Sequence, residues 1–191
     1  MHPYFLRSLL VCASLALLLT ALPIVNSADE FPLRAGIFRT RLQSDKTLYR
    51  IGEPIKLRLT VTNITARPYG AMWLPEFANF KLIVANSQGR TLTSKGTRVG
   101  YNVSYGDIAQ FPPGKTLVSK FVNPEAGNKS LSEWAPIEYW GYDLGEPGDY
   151  TITALPSFGA FEVIDNGKST GSEFSISPAD KSNVVHITIE R

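Results

Sequence analysis

Histidine and cysteine, the side chains that most often drive nucleophilic catalysis, are scarce in this sequence. Beyond residue 28 there is one histidine, His186, and no cysteine, because Cys12 lies near the start. A catalytic triad needs an imidazole beside a nucleophile and a carboxylate to orient it. His186 instead alternates with Thr188 and Glu190, which reads as an outward strand face and a surface histidine. Catalytic zinc needs three protein ligands, and disulfide or thiolate-metal frameworks need several cysteines. Paired carboxylates suffice for acid–base work. Glu133, Glu138, Asp143, Glu146 and Asp149 lie close in sequence, but no spacing singles out a pair, and they read as a solvated loop. Asp143, Glu146 and Asp149 also lack the D-x-[DN]-x-[DN]-G run of an EF-hand loop. There is no glycine-rich phosphate loop and no dinucleotide fingerprint. The expectation is a protein that is not an enzyme and holds no cofactor or metal.

The aromatic segment Trp134-Ala-Pro-Ile-Glu-Tyr-Trp-Gly-Tyr142 is the most unusual stretch. Trp134, Trp140 and Tyr142 share parity, so an extended chain sets them on one side, with Tyr139 beside them. Tyr101, Tyr105 and Phe111 lie in a glycine-broken segment nearby. Flat exposed rings suit protein or sugar contacts, because they offer large area with few rotamers to freeze. The competing reading folds the same rings over one end of the domain as core. Trp134, Tyr139, Trp140 and Tyr142 are the candidate binding residues.

These residues must be positioned by the rest of a chain of 191 residues with 19 Lys plus Arg and 17 Asp plus Glu. That near-neutral balance gives no electrostatic footprint for nucleic acid, which needs a clustered basic face. Arg7 followed by the apolar run Leu9–Leu22 and then Pro23 has the parts of a signal peptide. Cleavage after Ala28, the preferred site, places Asn26 and Ala28 at the specificity positions, whereas cleavage after Ser27 would use Val25 and Ser27. The run falls short of the roughly 20 residues a spanning helix needs, so membrane contact is expected only through an uncleaved leader. Residues 1–28 are thus expected to be a signal peptide and 29–191 a single secreted or periplasmic domain.

Glycine and proline are spread along residues 29–191, which argues against long helices. Alternation recurs instead. Ile55, Leu57, Leu59 and Val61 face one way and Lys56, Arg58, Thr60 and Thr62 the other. Phe80, Leu82 and Val84 repeat the pattern, as do Leu117 with Phe121, Tyr150 with Ile152 and Ala154, and Val185 with Ile187 and Ile189. Turns at Ile51-Gly-Glu-Pro54, Ser87-Gln-Gly89 and Pro112-Pro-Gly114 separate the strands. Asp165-Asn-Gly167 is a hairpin signal with type I′ preference. About seven core strands and an extra hairpin point to an all-β, two-sheet antiparallel sandwich without a disulfide. Pro147-Gly-Asp-Tyr150 resembles a tyrosine corner, in which a Tyr near the start of strand F bonds back to the backbone. Ile152 stands where an immunoglobulin cysteine would fall.

Together, Tyr49–Asn63, Phe80–Val84, Pro113-Gly-Lys115, Pro147–Ile152 and Ser182–Thr188 resemble uncharacterised bacterial secreted Ig-like domains. The same outline is similar to a bacterial Ig-like proteinase-inhibitor family, from which it departs between Pro124 and Tyr142 and in the hairpin near Asn166. The resemblance implies an Ig-like fold with strands B, C, E, F and G at Ile55–Asn63, Asn79–Ala85, Lys115–Val122, Tyr150–Ala154 and Asn183–Glu190. It transfers no functional residue. In a bacterial protein the sequons at Asn63, Asn102 and Asn128 are chance matches. The functional expectation is a non-catalytic recognition module with a protein partner. A secreted proteinase inhibitor is the alternative, and a carbohydrate-binding module using exposed aromatics the next.

Overall fold

The computed structural model describes residues 32–72, 79–96, 108–122, 131–164 and 168–191. The leader, Tyr101, Tyr105 and the turn 165–167 lie outside the described residues. Among the described residues fifteen strands follow in order: β1 Leu33–Arg34, β2 Phe38–Ser44, β3 Leu48–Arg50, β4 Lys56–Asn63, β5 Tyr69–Met72, β6 Phe80–Asn86, β7 Ile108–Phe111 and β8 Thr116–Val118. The rest are β9 Phe121–Val122, β10 Leu131–Ser132, β11 Ala135–Pro136, β12 Gly148–Pro156, β13 Gly159–Ile164, β14 Lys168–Ile176 and β15 Val185–Glu190. Among the described residues no helix is long and apolar enough to cross a membrane.

The chain is all-β, and its centre is a two-sheet sandwich. In one sheet β4 pairs with β2, with β8 at one end and with β11 at the other. The second runs β3-β15-β12-β6. With β2, β4 and β8 as strands A, B and E, and β3, β15, β12 and β6 as A′, G, F and C, this is the order of an immunoglobulin-type sandwich. Alternation drives the packing, since every second residue of a strand meets the opposing sheet. Leu57, Leu59 and Val61 of β4 are fully buried with Val84 of β6, Ile152 and Ala154 of β12 and Ile187 of β15. At the start of strand F the Tyr150 hydroxyl donates to the Glu146 carbonyl at 2.9 Å, and the buried Ile152 packs where a disulfide could have stood.

Strand A, β2, had no place among the strands read from sequence. Its pattern, Phe38 and Leu42 inward with Arg39, Arg41 and Gln43 outward, is broken by Thr40, which is buried although polar. The sandwich is also not wholly antiparallel, because β3 pairs with β15 in parallel. Strand E is shorter than Lys115–Val122. Thr116–Val118 pairs with β4, flanked by backbone bonds from Asn63 to Lys115 and from Ser119 to Leu59, and β9 then turns away to pair with β10.

The expected extra hairpin, β13 with β14, belongs to a larger unit. It is the centre of a five-stranded mixed sheet, β1-β14-β13-β5-β7. That sheet gathers the connections between strands B and C, C and E, and F and G, with the segment preceding strand A added in parallel. A close approach holds it together. Phe161 lies across Gly70, where a Cβ would collide with the ring, so a larger residue would have to displace it. Asn63, at the end of β4, latches this sheet to the sandwich. It is fully buried, and its Nδ2 donates to the carbonyls of Arg67 at 2.7 Å and Phe111 at 2.8 Å.

Candidate functional site

The aromatic segment does not form one exposed surface. Trp140 and Tyr142 retain 3% and 7% of their exposure and belong to the core, while Trp134 and Tyr139 are half-buried. The common side expected for Trp134, Trp140 and Tyr142 required an extended chain. Residues Ile137–Trp140 instead form a 3-10 turn, and Gly141 follows in a left-handed conformation. A side chain at 141 would strike the Gly96 backbone, so glycine is favoured by the space as well as by the conformation.

The segment acts as a strap along one flank of the sandwich. Ala135 and Pro136 pair with Leu57 and Lys56, and the Ile137 amide donates to the Ile55 carbonyl at 2.9 Å. Trp140 stands edge-on to Phe121 with ring centroids 5.6 Å apart. The Tyr142 hydroxyl then crosses to the other sheet and donates to the Leu82 carbonyl at 2.7 Å. Strand β6 is the sheet edge, and Val84 accepts from the Leu92 amide at 2.8 Å. The edge is therefore covered, the usual answer to an unpaired ladder. Burial pushes the Tyr142 phenol above its ordinary pKa, as fits a group used only as a donor.

The two outer faces of the sandwich differ in chemistry. On the A–B–E sheet the outward residues are Arg39, Arg41 and Gln43 of β2, Lys56, Arg58, Thr60 and Thr62 of β4, and Thr116 and Val118 of β8. On the A′–G–F–C sheet they include Leu48, Ile83, Leu155 and, just before β15, Val184. Leu48, Ile83 and Val184 keep 50%, 40% and 48% of their exposure. Ile83 pairs with Thr153, and Val184 precedes the partner of Ile152, so two apolar side chains flank one threonine.

His186 lies on this second face, exposed and opposite Thr151. A depression of about 730 Å³ beside it is lined by Leu48, Asn86, Asp149, Thr151, His186 and Thr188. Asn86 and Tyr150 also border a second hollow of about 560 Å³, with Arg90, Asp143 and Glu146 on its rim. The carboxylates are dispersed. Asp149 accepts from the Thr188 hydroxyl at 2.6 Å, Asp143 lies 3.3 Å from Lys95 Nζ, and Glu133 lies 2.8 Å from Arg58. Among the described residues no group of three or more His, Cys, Asp or Glu could hold a metal ion. The signal for the apolar face was an aliphatic residue at an outward position of an otherwise amphipathic strand. Alternation yields Ile83 and Val184 there, while Leu48 needed the parallel pairing of β3 to be placed.

No protein-family model matches the sequence, and no curated protein matches it. Among solved structures, a Northeast Structural Genomics Consortium target shares 11% identity at a TM-score of 0.39, covering 82% of this chain and 89% of its own. A candidate ApaA protein from Bordetella pertussis shares 14% at 0.33, covering 85% and 98%. A β-glucosidase from Erythrobacter marinus shares 14% at 0.31, covering 73% of this chain and 15% of its own. Likenesses this distant carry no functional inference.

Proposed function

We propose that this chain is an exported, non-catalytic recognition module of the bacterial envelope, secreted or periplasmic. In this reading it holds a protein partner on the outer face of the A′–G–F–C sheet. The supporting observation is the contrast between its two outer faces. A half-solvated antiparallel sheet ordinarily alternates apolar inward and polar outward. The A–B–E sheet follows that rule except at Val118, while the other sheet exposes Leu48, Ile83 and Val184 around His186 and threonines. Single exposed aliphatics need no explanation, but several on one rigid face, here set among Arg50, Lys81, Asp149 and Glu190, make the kind of surface that partners cover.

The test compares capture from the envelope fraction by the wild-type protein and by I83K/V184K. Both positions are already solvent-exposed, so the melting temperature should stay within about 2 °C while partner recovery falls at least tenfold. Equal recovery by a folded variant overturns the assignment. Inhibition of a protease panel by the same variant would favour the inhibitor alternative instead. N-terminal sequencing of the exported chain should begin within a residue or two of Asp29.

A further inference from the structure

Four cations form a line across the outer face of the A–B–E sheet. Arg39 and Arg41 stand outward on β2 and Lys56 and Arg58 on β4, with all but the half-buried Arg58 exposed. The register sets Arg41 against Thr60 and Gln43 against Arg58. Successive outward residues of a strand stand about 6.8 Å apart and neighbouring strands about 4.8 Å apart. The sequence Lys56, Arg58, Arg41, Arg39 therefore runs diagonally for about 20 Å, with about 7–8 Å at each step. Among the described residues Arg39, Arg41 and Lys56 make no ion pair, and Arg58 is held by Glu133 at 2.8 Å. Asp45 borders the Lys56 end, where its carboxylate accepts the Tyr49 hydroxyl. The gaps are filled by Gln43, Thr60 and Thr62, whose hydroxyl meets that of Thr116 at 2.7 Å. A formal charge of +2 over the whole chain conceals this segregation.

We propose that this line binds an extended acidic polysaccharide, one that carries carboxylates along successive sugars. A row of charges at even spacing matches a linear polyanion. A membrane plane would be met by cations spread over an area, and a single small anion by cations that converge. Guanidinium forks take carboxylates bidentately, and the intervening hydroxyls and amide suit sugar hydroxyls. Single-stranded nucleic acid is held on stacked rings, and among the described residues none stands within this row. The row lies on the opposite face from the surface proposed for a protein partner, so the two readings stand or fall separately.

The experiment titrates the full exported chain with oligogalacturonate at low and moderate salt, with neutral dextran as control. Binding should be confined to the acidic glycan and weaken as salt rises. R39S/R41S removes two of the four cations offered to the ligand and should weaken binding about tenfold at an unchanged melting temperature. E133Q frees Arg58 for the ligand and should tighten binding severalfold. The proposal is overturned by absence of binding at low salt, by R39S/R41S binding like the wild type, or by E133Q binding no tighter. Tighter binding to phosphatidylglycerol vesicles or to single-stranded DNA than to the glycan also overturns it.

Discussion

Truncating Trp140 to alanine decides whether the aromatic segment is core. Trp140 retains 3% of its exposure and stands edge-on to Phe121 at 5.6 Å. Replacing a buried tryptophan with alanine costs about 3–5 kcal/mol, a figure that already includes the lost ring pair. A domain of this size loses about 2–4 °C of melting temperature per kcal/mol, so the expected fall is about 6–20 °C. Trp134 gives the internal comparison. It is half-buried, and the Ser132 hydroxyl bonds its main chain, donating to its carbonyl at 2.9 Å and accepting from its amide at 3.0 Å. Trp134→Ala should therefore cost only about 1 kcal/mol, or 2–4 °C. A loss of 5 kcal/mol equals the whole stability of a marginal domain. Trp140→Phe, which keeps a ring against Phe121, provides a milder variant at about 1–2 kcal/mol. Calorimetry, with a urea titration to check that the denaturant slope is unchanged, reads all three. Equal small shifts for Trp140→Ala and Trp134→Ala would refute the reasoning and return the segment to the surface.

Two further perturbations follow from the tyrosines. Tyr142→Phe strips the donor from the buried Leu82 carbonyl and should cost about 1–3 kcal/mol, whereas Tyr150→Phe, losing a part-buried bond to Glu146, should cost about 1 kcal/mol. A reversed order of their denaturation midpoints would contradict the edge-covering role of Tyr142. Burial, and then the hydrogen bond to Asp45, hold the Tyr49 phenol well above its ordinary value near 10. The folded state thus keeps a proton that the unfolded chain releases, so stability is complete below about pH 10 and declines above it. The decline attributable to Tyr49 is about 1.4 kcal/mol per pH unit. Tyr49→Phe should flatten the alkaline limb of the stability profile, and an unchanged slope would place that ring in solvent.

Legibility followed regularity. Strand B could be read because four apolar residues alternate with four polar ones, and β4 spans Lys56–Asn63 with that burial. Strand A could not, because one buried threonine interrupts its period. The five-stranded sheet escaped for a different reason. It is assembled from connections whose partners lie far apart in sequence, such as Tyr69 with Phe111 and Gly70 with Phe161. No local pattern announces such pairing, and even the glycine that permits it reads as a turn residue. The aromatic rings were visible at once, but their side depended on a 3-10 turn that breaks the parity of an extended chain. The cation row needed the register between β2 and β4, since in sequence Arg39 and Arg41 are separated from Arg58 by a turn and a strand.

The shortness of strand E explains why the rings are spent on the fold. Strand β8 pairs with residues 60–62 of β4, and its last bond runs from the Ser119 amide to the Leu59 carbonyl at 3.0 Å, which leaves the Lys56 end of β4 without this neighbour. An open ladder there would expose Leu57 and invite pairing with another chain. Strand β11 takes the vacant place at Lys56 and Leu57 in register. It is only two residues long and includes Pro136, which cannot donate to a ladder. Backbone pairing alone is therefore a weak closure. The segment compensates with side chains: Ile137 and Trp140 fill the flank beside Phe121, and Tyr142 bonds the edge of β6. A sandwich that lacks the inter-sheet disulfide gains a cross-sheet tie by this route, from β4 through the strap to Leu82. With that flank closed and the far connections paired into the five-stranded sheet, two broad surfaces open to solvent among the described residues are the outer faces of the sandwich. One carries aliphatic residues and the other a row of cations, chemistries that suit different classes of partner.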